Sequence, residues 1–197
     1  YEIKEWNESN FDIRLNRYCE KAYAAQKWAF VSDVARLWAL VHEGGIYMDT
    51  DVELVRPLDR LLTNRAFLGF EGTQWVGTNL IGAEPSHSFF IELLKSYDHR
   101  CFITPDGKPD QTTNVEELTR KLEKVYGFRK DGSFQQLGDI TLYPTDYFCP
   151  YDYIDGQLHR TENTYSIHWY SQTWIKRSRW INKLSQWMHR LTGNRMK

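Results

Sequence analysis

Between Phe30 and Val52 the chain reads FVSDVARLWALVHEGGIYMDTDV, and few structures suit that order of residues. Val34, Leu37, Trp38 and Val41 recur at helical spacing, so a helix here has one apolar face. Ser32 offers an N-cap oxygen, and Gly44-Gly45 supply a left-handed stop that residues with a Cβ resist. Ile46 to Val52 then alternates as a strand. Ile46, Met48, Thr50 and Val52 point one way, and Tyr47, Asp49 and Asp51 point the other. The stretch therefore predicts a helix, a tight turn and a strand with two carboxylates on one face at its end. Asp33 and Arg36 share a helix face one turn apart.

Paired acids at a strand end have a chemical use. Hard divalent cations take several carboxylate oxygens, and Mg²⁺ or Mn²⁺ held this way keeps positions open for the phosphates of a substrate. The bland alternative is that the two acids are solvated turn residues. Asp33 and Arg36 have one too, a helix-surface ion pair worth under about 0.5 kcal/mol.

The rest of the chain supports one domain of 197 residues with a full core. Its net charge of −1 argues against a nucleic-acid partner. No stretch approaches the about 18 apolar residues that span a membrane. Cys19, Cys101 and Cys149 follow no disulfide or metal pattern and point to reduced thiols, hence to the cytoplasm. In order, the pattern predicts a strand over 1–6 and helix over most of 11–30. Strands follow at 67–71 and 76–83, then a helix over 86–97. A second helix covers 115–126, capped by Asn114 and ended by Gly127, and a last strand covers 140–144. Eight Trp and twelve Tyr suit sugar or base stacking, although core packing is their commoner use.

Ser32-Asp33-Val34-Ala35-Arg36, an apolar helix, and Gly44-Gly45-Ile46-Tyr47-Met48-Asp49-Thr50-Asp51-Val52 resemble, in residue and spacing, glycosyltransferase family 32. The same block looks similar to the large glucosylating bacterial toxins. The resemblance implies an α/β fold of the GT-A type: a Rossmann-like mixed, mostly parallel sheet flanked by helices, its first strand missing here. It also implies Mn²⁺ or Mg²⁺ on Asp49 and Asp51, with Asp49 beside the nucleotide diphosphate. Thr78-Asn79-Leu80-Ile81-Gly82-Ala83 resembles the family segment whose Asn faces the donor sugar, so Asn79 joins Asp33 and Arg36 as sugar-binding candidates. Thr164 to Trp174 resembles the family's late His and Ser-Trp segment. It nominates His168 as a third metal ligand, against a plain strand histidine, and Ser171 and Trp174 at the diphosphate. No catalytic residue is assigned.

The expected domain covers 1–174. Beyond it, Ile181, Leu184, Met188 and Leu191 form one stripe of a basic amphipathic helix over 175–197. That helix fits peripheral contact at the inner membrane face, or equally an ordinary terminal helix packed on the body. The implied activity is a metal-dependent, retaining transfer of a hexose from a nucleoside diphosphate sugar, UDP- or GDP-linked. The acceptor would be a glycan or lipid-linked glycan, in surface or capsular polysaccharide synthesis. A non-catalytic relative that binds sugar nucleotide or glycan, and a toxin-like protein glucosyltransferase, are the alternatives.

Overall fold

The computed structural model describes residues 1–171; Trp174 and the tail 175–197 lie outside them. The first helix, α1 (Arg17–Ala24), begins where the Asn16 side chain accepts from the Cys19 N–H, at 2.8 Å. It stops at Gln26, which takes φ +56° and lets Gln26 N–H reach Tyr23 O and Lys27 N–H reach Ala22 O. These two bonds form a Schellman closure, and they break the helix expected across 11–30 into two.

The second helix, α2 (Trp28–His42), starts four residues before Ser32 and has no side-chain cap. Ser32 instead donates within the helix to Ala29 O at 2.8 Å, so the cap expected from it does not form. Gly44 and Gly45 end the helix at φ +66° and +86° as expected, and a Cβ at Gly44 would stand 2.6 Å from Pro85.

The remaining elements are β1 (Gly45–Met48), β2 (Val52–Leu54), β3 (Ala66–Glu71), β4 (Trp75–Val76), β5 (Leu80–Ala83) and α3 (Ser88–Ser96). Then come α4 (Asn114–Tyr126), β6 (Gln135–Leu137), β7 (Ile140–Tyr143), α5 (Thr145–Phe148) and β8 (Ser166–His168). Residue Thr113, not Asn114, caps α4 by accepting from Glu116 N–H; Gly127 closes it at φ +66°. Residues 1–6 form no strand. Ile3 is 93% exposed, and Trp6 packs edge-on to Trp38 at 5.2 Å.

The main sheet runs β1-β5-β3-β7-β6, with β4 beside β3, and helices flank it as the α/β expectation requires. Pairing is parallel between β3 and β7 and antiparallel elsewhere among the described strands, where the resemblance implies a mostly parallel sheet. Strand alternation divides the core. Ala66, Leu68 and Phe70 face the cluster built with α2, α3 and α4, while Phe67 turns to Leu80, Phe148 and Tyr165. Gly82 makes that second face possible, because a Cβ there would enter the Phe67 ring. A separate antiparallel pair, β2 and β8, completes the structure beside the carboxylates. No helix among the described residues is long and apolar enough to cross a membrane.

Candidate functional site

The strand expected over 46–52 is interrupted. β1 ends at Met48, and Asp49 to Asp51 form a turn closed by Val52 N–H to Asp49 O at 3.1 Å. Backbone bonds fix the turn from both sides: Asp49 N–H donates to Asn79 O at 2.9 Å, and Trp169 N–H to Asp51 O at 3.0 Å. A turn brings the two carboxylates together where a straight strand would space them along one face. The β2–β8 register then sets His168 opposite Val52, one residue past Asp51.

The result is a cluster in which one ligand atom each from Asp49, Asp51 and His168 lies within 4.8 Å of the others. His168 Nε2 stands 3.3 Å from Asp51 Oδ1, while the N–H and hydroxyl of Ser171 donate to Asp51 Oδ2 at 2.8 and 2.9 Å. Partial burial opposes the Asp51 charge, yet His168 and the Ser171 donors hold its carboxyl well below the usual range. Two carboxylates and an imidazole that converge this way form a donor set suited to Mn²⁺, and also acceptable to Mg²⁺.

Behind the turn lies a buried network. Arg36, 5% exposed, places NH2 3.3 Å from both Asp33 Oδ1 and Asp49 Oδ1, and NH1 donates to Thr78 O at 2.7 Å. Tyr47 donates its hydroxyl to the same Asp49 Oδ1 at 2.7 Å, and its ring lies under the guanidinium. Asp33, 7% exposed, accepts from Asn114 N–H at 3.2 Å, and the Asn114 amide donates to Asp33 O at 2.7 Å. Burial raises the Asp33 carboxyl against the pull of Arg36. It also opposes the Arg36 charge, but Tyr47, Asp49 and Asp33 outweigh it and raise that group. The pair is thus a buried strut between α2, the carboxylate turn and the start of α4, not the surface ion pair that spacing alone allows.

Asn79 is 4% exposed; its side-chain oxygen accepts from the Cys149 thiol at 3.2 Å, and its Nδ2 is buried with no partner among the described residues. That leaves a donor for a hydroxyl-bearing ligand. The structure therefore brings together Asp33, Arg36, Asn79, Asp49, Asp51, His168 and Ser171, while Trp174 lies outside the described residues. Sequence reasoning missed Asn114, Tyr47, Cys149, Glu71 and Tyr170. Tyr47 sits inside the quoted block and could have been found there, whereas the other four carry no local pattern.

Glu71, at the end of β3, and Tyr170 line a cleft of about 750 Å³ beside the cluster, and Tyr170 packs on the His168 ring at 3.9 Å. Burial raises the Glu71 carboxyl, against the opposing pull of His168 and a hydrogen bond from Tyr170.

Comparison with known proteins agrees with this geometry. Residues 1–68 match the family described as "Glycosyltransferase sugar-binding region containing DXD motif". A mannosyl phosphorylinositol ceramide synthase of Saccharomyces cerevisiae is 40% identical over 68 residues, 34% of this chain and 18% of the yeast protein. Inositol phosphoceramide mannosyltransferase 1 of Schizosaccharomyces pombe is 36% identical over 105 residues, 51% of this chain and 31% of its own. The human alpha-1,4-N-acetylglucosaminyltransferase is 26% identical over 132 residues, 66% of this chain and 35% of the human one. The chain thus spans between 18% and 35% of the lengths of these relatives. No solved structure gives a significant match. The Asp49-Thr50-Asp51 turn lies inside the matched segment, so residues 1–68 are similar to the sugar-binding region of the DXD-motif glycosyltransferases.

Proposed function

We propose that this chain is a metal-dependent, retaining glycosyltransferase that moves a hexose from a UDP- or GDP-linked donor to a glycan or lipid-linked acceptor. The observation that carries the reading is the convergence of Asp49, Asp51 and His168 within 4.8 Å on the motif turn. Two of the relatives are named for mannosyl transfer to a ceramide lipid and one for N-acetylglucosaminyl transfer, so transfer to a lipid-linked or free glycan fits their company.

Asp51, His168 and Asp49 would hold Mn²⁺ or Mg²⁺, whose charge offsets the negative charge that builds on the departing diphosphate. Ser171, which holds Asp51 through its N–H and hydroxyl, would turn its hydroxyl to a phosphate oxygen once the cation takes Asp51. The unpartnered Nδ2 of Asn79 would take a hydroxyl of the donor sugar, beside Asp33 and Arg36. In the transfer, the bond from the anomeric carbon to the diphosphate oxygen breaks, and the acceptor oxygen bonds that carbon from the same face. The acceptor's proton passes to the departing phosphate oxygen, so the reading assigns no protein base.

Thermal unfolding with UDP and with GDP, each with Mn²⁺ and with chelator, tests the reading. A nucleotide at 100 times its dissociation constant adds about 2.7 kcal/mol. We expect a shift that needs Mn²⁺ and one of the two nucleotides, then turnover of the matching labelled sugar donor. A shift without turnover would reduce the chain to a sugar-nucleotide binder. No metal-dependent shift with either nucleotide overturns the donor site.

A further inference from the structure

The cleft beside the cluster has its own chemistry. Trp75 and Tyr153 line it, 45% and 53% exposed, and Tyr153 packs on Tyr170 at 4.9 Å, so aromatic surface continues from the cleft wall to the His168 ring. Open aromatic faces in a concave site suit the C–H face of a sugar ring.

The charged lining is mainly acidic. Glu71, Glu116, Asp146 and Asp152 line the cleft together with His159, and no lysine or arginine does among the described residues. Asp146 and Asp152 take neutral donors, the Thr161 hydroxyl and the Ile154 N–H, both at 2.7 Å, so those bonds leave their charge uncompensated. Cations stand nearby but are engaged: Arg120 pairs with Glu116 at 2.5 Å, and Lys130, 5.9 Å from the Trp75 ring, pairs with Glu123 at 2.8 Å.

One feature could still favour an anion, the start of α4, which reaches the cleft at Thr113 and Glu116. Three of its donors are already used. Thr113 takes the Glu116 N–H through its hydroxyl at 3.3 Å and the Glu117 N–H through its carbonyl at 3.0 Å, and Asp33 takes the Asn114 N–H at 3.2 Å. Glu116 and Glu117 add negative charge to the same first turn.

We propose that this cleft is the acceptor subsite and that it takes neutral, hydroxyl-rich sugars, rejecting acceptors that present a phosphate to it. The inference rests on the glycosyltransferase reading for the word acceptor, but the glycan site and its charge preference stand on the cleft alone. It separates this chain from relatives named for inositol phosphoceramide, whose acceptor carries a phosphate.

The test is glycan binding by the whole chain without nucleotide or metal, followed by saturation-transfer NMR and Trp fluorescence. The probes are methyl mannoside, galactoside and glucoside disaccharides and their 6-phosphates. We expect at least one neutral glycoside to bind at least tenfold tighter than its phosphate, and Asp146→Asn/Asp152→Asn to narrow that gap at least threefold. Both side chains are only partly buried, and an unchanged melting temperature would show that the variant folds. Binding of the phosphates as tightly as the neutral sugars overturns the proposal, and so does binding of neither. UDP and GDP binding with Mn²⁺ on the same preparation separates the two failures. Nucleotide without glycan overturns this inference alone; glycan without nucleotide overturns the donor site and leaves the cleft standing.

Discussion

At the scale of single residues, charge placement decides most of what this chain can do. Asp51 is the best-anchored member of the cluster, with its carbonyl bonded to Trp169 N–H and both carboxylate oxygens facing His168 and Ser171. Asp51→Ala should remove the Mn²⁺-dependent part of nucleotide stabilisation while the metal-free melting temperature changes little; an unaltered Mn²⁺ dependence would refute the ligand role. Arg36 belongs to the fold as much as to the site. Arg36→Met leaves Asp33 buried beside α4 without its cation, and loss of one partner of a buried pair costs about 3–5 kcal/mol. Urea unfolding of Arg36→Met should show a loss of that size, and a change under about 1 kcal/mol would mean that the strut is dispensable. The thiols follow the same logic: Cys19 and Cys149 are buried and burial pushes both up, whereas Cys101 is partly open. One thiol per folded chain should react with a disulfide reagent, and all three after unfolding.

At the scale of elements, helix ends and turns do the positioning. Glycine is required where α2 meets β1, since φ +66° and a neighbour at 2.6 Å both exclude a side chain from Gly44. Within the sheet, Gly82 accommodates the ring of Phe67 on the adjacent strand. Gly82→Ala should destabilise by about 1–3 kcal/mol through overpacking, read by urea unfolding, because the methyl group would need the volume that the ring fills. Element type and rough position were legible from periodicity and glycines: α2, α4, β3 and β7 lie close to where the pattern puts them. Boundaries were less so. Ser32 and Asn114 carry cap chemistry, yet each sits inside its helix: α2 already begins at Trp28, and Thr113 takes the cap one residue before Asn114, so local chemistry alone ranks the candidates poorly. The break at Gln26 has no glycine to announce it.

At the scale of the whole molecule, buried titratable groups couple the fold to pH. His87 is 1% exposed, and burial lowers its pKa from the ordinary 6.5, with Asp139 3.4 Å away offsetting part of that. The unfolded chain then binds the proton more readily, so stability is full above about pH 6.5 and falls as pH drops through that value toward the lower folded pKa. Melting temperature should decline more steeply from pH 7 to 5 in the native chain than in His87→Leu. Equal slopes would assign the acid sensitivity elsewhere. Residues 175–197 enter at this scale as a proposal of membrane contact: their deletion should lower partitioning to anionic vesicles, and unchanged partitioning would leave them without that role.

Sequence alone determined the helix, glycine turn and carboxylate pair, because 3.6- and 2-residue periods and the need for φ > 0 are local properties of a chain. It also carried the resemblance to the DXD-motif glycosyltransferases, since that block is contiguous. Tertiary structure decided the rest. Only folding shows that the acids share a turn, that β8 carries His168 to them across more than a hundred residues, and that Asp33 and Arg36 are buried. Only folding collects Glu71, Trp75, Asp146 and Asp152 around one cleft. Contacts between distant segments depend on how strands pair and helices pack, and no short window of sequence encodes that.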